Sequence, residues 1–151
     1  MRDTYVLDML DRNHSRLLKL AEACSEDERN AVPEGFNNNI HWNIGHVLTV
    51  TERLVFEITG QTMAISDDYL TFFRSGTKPA EWQGEPPAWD VIMTQLREQP
   101  DRIRELLKDS LHVTVKENFA KAETVDELIA AALLHEVMHS STISAMLKVL
   151  K

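Results

Sequence analysis

The sequence predicts an all-α fold, a four-helix bundle with a long connection between helices 2 and 3. Three observations carry this. Four segments repeat apolar residues at the three- and four-residue spacing of a helix face. Only Leu111–Val115 (LHVTV) has strand character, and no second strand exists to pair with it. The chain's 151 residues, 43% of them hydrophobic, suffice for one domain spanning 1–151 with a sizeable core.

The first helix should run from Asp3 to Cys24, with Val6, Met9, Leu10, Leu17, Leu20, Ala21 and Cys24 on its stripe. SEDERNAVPEGFNNN then reads as a loop broken by Pro33 and Gly35. The second helix starts at the Asn37–Asn39 cluster, any member of which can cap, and stops at Gly60. Ile40, Ile44, Val47, Leu48, Thr51, Leu54, Val55 and Ile58 form its apolar face. The connection from Gln61 to Pro87 holds one short helix, SDDYLTFF, with Ser66 as its cap and two aspartates in its first turn. Connections this long often cover or shape a site.

The third helix is expected from Pro86–Pro87 to about Ser110. Ile92, Leu96, Gln99, Ile103 and Leu106 keep their spacing through Pro100, so it should be one kinked helix. The fourth opens with a capping box, Thr124 and Glu127 of TVDE, and runs to the end of the sequence.

Charge and composition narrow the function. Sixteen Lys+Arg against 24 Asp+Glu give a net charge of −8, with no positive cluster to neutralise phosphates, so nucleic-acid binding is not expected. The longest apolar run, Leu128–Leu134, is far shorter than the roughly 20 residues of a membrane span. Asp3, Asp8 and Asp11 lie where a signal peptide needs apolar residues, which points to the cytoplasm. Cys24 stands alone, excluding an intrachain disulfide and a Cys-based zinc site.

The informative chemistry is in LLHEVMH. His135 and His139 are four apart, on one face of the fourth helix. Such a pair with Glu beside the first His arises by chance only about 0.02 times in a chain of this composition, so the spacing carries weight. Imidazoles facing an apolar interior need partners, and a divalent metal would satisfy both. Two hydrogen-bonded core histidines are the alternative. HEVMH also matches a zinc-protease signature, but no His, Asp or Glu follows His139, so a third ligand must come from upstream. His46, beside Trp42 and Val50 on the second helix, can supply it, because bundle metal sites draw ligands from facing helices. Glu136 is expected on the same face as the pair. His41 should be solvated near its helix start, and His14 and His112 should lie at the surface or its edge.

NNNIHWNIGH, YLTFFRSGTKPAEWQGEPP and HEVMH, in this order, resemble the DinB-like (YfiT-like) superfamily over nearly the whole chain. The resemblance implies a four-helix bundle with crossover connectivity, often assembled as a homodimer. It also implies a three-His divalent-metal site, carried over here as His46, His135 and His139, with water or substrate completing the coordination. Members include S-transferases and isomerases that use low-molecular-weight thiols such as bacillithiol or mycothiol. One departure is visible: many members place Gly-Gln shortly after the last His, where this chain has Ser140, Ser141 and Thr142. The ligands are intact, and the departure bears on what Gly-Gln supports beside the metal rather than on metal binding.

The expected function is therefore a metal-dependent S-transferase joining a low-molecular-weight thiol to a small electrophile. Three neutral His leave a divalent metal its full charge and an open position, and a coordinated thiol is deprotonated. Zinc and nickel lead as the metal; iron and manganese also suit three imidazoles. Glu136 could accept a proton or hydrogen-bond a ligating His. Trp42, Trp82, Trp89, Phe72 and Phe73 could line the pocket or simply fill the core. Two other readings stand beside this one: a non-catalytic metal-binding or sensing bundle, and a metal-dependent hydrolase with Glu136 as base.

Overall fold

All four amphipathic segments become long helices in the computed structural model, which describes residues 1–151. In chain order these are α1 (Tyr5–Ala23), a short α2 (Glu26–Asn30), α3 (Ile40–Thr51), a short α4 (Asp68–Phe73), α5 (Trp89–Leu107) and α6 (Val125–Leu150). A 3₁₀ turn, Pro79–Glu81, interrupts the connection between α4 and α5. Both α1 and α3 pack against α5 and α6, so α1 and α3 face each other across one diagonal of the bundle. No helix is long and apolar enough to cross a membrane.

Several local expectations are corrected. The segment read as loop contains α2, because Ser25 and Glu28 form a reciprocal capping box. Asn39 caps α3 as expected, but beyond Thr51 the helix widens into a π segment, Glu52–Glu57, before ending at Gly60. Ser66 does not cap α4. Its hydroxyl bonds the Asp68 carboxylate, and no side chain caps the first turn. Thr124 is the N-cap residue of α6, yet its hydroxyl also turns to a neighbouring carboxylate, that of Asp126. Asp126 then accepts from the Glu127 N–H at 3.0 Å, doing the work assigned to Thr124. LHVTV forms no strand, only a single bridge between Thr114 and Thr124.

Helix α5 runs through Pro100 without a break. Proline lacks an N–H, so the carbonyl four residues earlier, Leu96, loses its helical donor. That carbonyl is taken by His14 Nε2 of α1 at 2.5 Å. The proline thus creates an acceptor in the middle of the bundle, and a neighbouring helix uses it.

The core is divided in two. One apolar cluster of 17 buried residues gathers Leu17, Ile44, Leu48, Ile92, Leu96 and Ile143 with the aromatics of α4. The other, of 13, gathers Leu10, Val55, Phe56, Ile103, Leu128 and Ile129. Between them each long helix contributes buried polar residues: His14 from α1, Thr49 and Glu52 from α3 and its π extension, Gln99 from α5, Glu136 and Ser140 from α6. Buried polar groups persist only when bonded, and each of these six side chains is bonded. Glu52, fully buried, accepts from Gln99 Nε2 (2.8 Å), Arg102 Nη1 (2.9 Å) and the Ala64 N–H (2.6 Å). The last of these fixes the start of the long connection to the bundle. His46, His135 and His139 sit on the same belt.

Candidate metal centre

His46 is placed by a short sequence of local causes on α3. Gly45 leaves a gap that the Phe73 ring fills; a Cβ there would lie 2.5 Å from Phe73 Cε1. The end of α4 can therefore press against α3, and the Phe73 carbonyl accepts from His46 Nδ1 at 2.6 Å. Trp42 stacks on the His46 ring, with centroids 4.4 Å apart and planes 12° from parallel. Trp42 is itself held, donating from Nε1 to Thr77 Oγ1 at 2.8 Å.

His139 is fixed in a comparable way. Its Nδ1 donates to Asn43 Oδ1 at 2.8 Å, and Asn43 is oriented by donating to the Asn39 carbonyl at 2.9 Å. A hydrogen bond at Nδ1 sets the tautomer and leaves Nε2 with a free lone pair. His46 and His139 are thus both prepared as Nε2 donors to a cation. His135 Nδ1 is buried and has no partner, so the third ring is less constrained.

One nitrogen from each of the three rings lies within 4.8 Å of the others. His46 Nε2 and His135 Nε2 are 3.1 Å apart, near the roughly 3.3 Å that separates two nitrogens at about 2.0–2.1 Å on a tetrahedral ion. Burial lowers the pKa of all three rings. His46 is lowered despite the Phe73 carbonyl, which pulls the other way. His135 falls to about 4, through burial and then the neighbouring His46. His139 falls to about 3, through burial and then His135 and His46. All three are neutral at pH 7, the state a metal requires. Oriented lone pairs, neutrality and spacing together fit a divalent cation.

The remaining histidines are not where the sequence placed them, apart from His112, which is exposed beside Asp3 and Asp126. His41 is buried, not solvated. It donates toward the Pro87 carbonyl at 3.2 Å and packs edge-on against Trp82 and Trp89, with its pKa lowered chiefly by burial. His14 is also buried, not at the surface. Its Nδ1 lies 2.5 Å from Glu136 Oε1 and its Nε2 bonds the Leu96 carbonyl. Burial alone would depress the His14 pKa, but the Glu136 hydrogen bond and charge, with the Leu96 carbonyl and Asp11, raise it.

Glu136 therefore faces α1 rather than the three-His centre. Its second oxygen accepts from Asn13 Nδ2 at 2.8 Å. Of the aromatics expected around the site, Trp42 touches His46, while Phe72, Phe73 and Trp82 pack mainly on one another. Sequence reasoning missed Gly45, Asn43 and the Phe73 carbonyl. Two had readable signals: a glycine inside a helix marks close approach, and Asn43, three residues before His46, shares its face. The carbonyl had none.

Comparison with known proteins agrees with this architecture. A family model described as the DinB superfamily matches residues 9–143. No curated protein matches. Among solved structures, a conserved protein from Enterococcus faecalis superposes with a TM-score of 0.65 at 15% identity, over 97% of this chain and 95% of that one. At that identity the similarity speaks to the fold alone.

Proposed function

The chain belongs to the DinB superfamily, and from that premise we propose that it is a metal-dependent S-transferase. In this reading His46, His135 and His139 hold a divalent metal, zinc or nickel first and iron or manganese next, and a low-molecular-weight thiol attacks a small electrophile beside it. The observation that carries the reading is the convergence of three neutral imidazoles, two with Nδ1 engaged and Nε2 turned toward the shared centre. A divalent cation held by neutral ligands supplies the positive charge that lets a thiol ionise near neutral pH.

The chain's own residues divide the remaining work. Phe73 and Asn43 keep two rings in the ligating tautomer, and Trp42 blocks rotation of His46. The new bond forms between sulfur and the electrophilic carbon, and the leaving group departs with its electron pair. The thiol proton passes to solvent, because His135 and His139 lie at the half-exposed edge of α6. Glu136, held by His14 and Asn13, positions α6 and accepts no proton in this scheme. That engagement leaves a hydrolase without Glu136 as its base.

Cytoplasmic location and a homodimer complete the proposal. The outer face of α6 offers a second copy the exposed, uncharged side chains of Leu134, Val137, Met138 and Val149. Two copies of net charge −8 repel through most surfaces, which leaves such a face as their meeting point.

Profiling electrophiles with and without thiol, on metal-loaded protein, tests the activity. Product that requires both thiol and metal supports transfer. Turnover without thiol favours the hydrolase, and no turnover by fully loaded protein favours a binding or sensing bundle.

A further inference from the structure

A cavity of about 380 Å³ adjoins the three-His centre, with His135 in its wall. The π segment contributes Arg53, the chain just after α4 contributes Arg74 and Ser75, and exposed Phe119 closes one side. The charge of this cavity contradicts the charge of the molecule. Acidic residues outnumber basic ones by 24 to 16 in the chain, yet the walls hold two arginines and no carboxylate.

Neither guanidinium is committed elsewhere. Arg74 forms no ion pair within the chain. Arg53 meets only Glu57, at 3.3 Å, and both side chains are nearly half exposed; pairs of that kind contribute little and are readily given up. Their backbones are fixed relative to the histidines. Arg74 directly follows Phe73, whose carbonyl orients His46. Arg53 lies in the widened turn, where its carbonyl accepts from the Ile58 N–H five residues on, at 3.3 Å. Irregular turns of this type occur frequently at functional sites.

We infer that this cavity binds the small molecule that reacts at the three-His centre, and that this molecule carries an oxyanion, a carboxylate or phosphate, held by Arg53 and Arg74. The inference rests on the three-His reading given above. A guanidinium fork matches two oxygens of either group. In an otherwise acidic protein, two arginines at one mouth, one unpaired and one in an exposed pair, also draw anions toward that mouth. Val50, Leu70 and Phe119 leave room for an apolar portion beside the charge.

The test compares zinc-loaded protein binding N-acetylcysteine with its binding of N-acetylcysteine amide, which differs only in lacking the carboxylate. The acid is expected to bind about tenfold tighter than the amide. Arg53→Met and Arg74→Met should each reduce that preference and the double variant should abolish it, with zinc content unchanged. Arg74→Lys, keeping charge but losing the fork, should fall between. Equal binding of acid and amide by the parent, or an undiminished preference in the double variant, overturns the inference. Zinc content reads the underlying centre separately. If the parent takes up no zinc, the centre fails, and succinate and inorganic phosphate titrated onto metal-free protein decide the oxyanion site. Binding of either that requires both arginines sustains it and identifies the oxyanion, and arginine-independent or absent binding ends it.

Discussion

Two histidine clusters share the polar belt of this bundle and solve the same problem in opposite ways. At His14 an imidazole is buried with both nitrogens engaged, one by the Glu136 carboxylate and one by the carbonyl that Pro100 frees. Its charge is retained by pairing, and the cluster has no capacity left over. At His46, His135 and His139 burial holds the rings neutral, with repulsion from neighbouring rings adding to it at His135 and His139, and their nitrogens converge on one another. The first cluster commits both ring nitrogens to the fold. The second leaves lone pairs facing a shared point, which a bundle has no structural need to do. That contrast, within one turn of α6, separates a stabilising network from a site.

The largest effect expected from breaking the contrast is at Glu136. Glu136→Ala strands the His14 imidazolium without its partner, and should cost about 3–5 kcal/mol of stability, as for other broken buried pairs. Chemical denaturation reads this directly. Because Glu136 faces α1, the variant that still folds should keep its metal content; parallel loss of metal at unchanged fold would tie the two clusters together.

Next in size are the groups that orient the ligands. Asn43→Ala removes the acceptor for His139 Nδ1 and should weaken metal binding about 10–100-fold, measured by competition with a chelator. Gly45→Ala pushes on the Phe73 ring and, through it, on the carbonyl that holds His46. Overpacking of this kind costs about 1–3 kcal/mol, and metal affinity should drop with it. Unchanged affinity in both variants would show that the rings need no support.

The smallest effect sharpens the comparison through pH, because the two clusters give slopes of opposite sign. His135 and His139 titrate at about 4 and about 3 in the fold, against 6.5 unfolded. The unfolded chain binds those protons first, so metal-free protein loses stability as pH falls from 6.5 toward these values. His14 has a raised folded pKa. Its contribution is full below 6.5 and is lost as pH rises through the folded value. The His135→Ala/His139→Ala variant should flatten the acid limb of a stability-versus-pH curve and leave the alkaline limb, which His14→Gln should flatten in turn.

Much of this was legible in the residues. Apolar spacing located all four long helices and carried α5 through Pro100, and His spacing on α6 with a third His on α3 named the three rings that converge. What escaped lies in long-range placement. His14 falls on the apolar stripe of α1 between Leu10 and Leu17, but nothing local names what satisfies it, because Glu136 is 122 residues away and its second acceptor exists only because a proline sits on a third helix. Glu136 follows His135 in sequence, but one step is about 100° of helix rotation, enough to aim it at α1. Ser25–Glu28 and Thr124–Glu127 carry the same capping signature; the first forms the box, while in the second Asp126 accepts the bond instead. The π segment has no periodic signal of its own.

The central claim is that His46, His135 and His139 hold one divalent cation. Elemental analysis of protein purified without a His tag, beside the His46→Ala, His135→Ala, His139→Ala and His14→Gln variants, tests it most directly. About one metal per chain in the parent and in His14→Gln, lost from each of the other three, is the predicted result. No metal in the parent even after zinc or nickel is added, or full metal in the three-His variants, would contradict it.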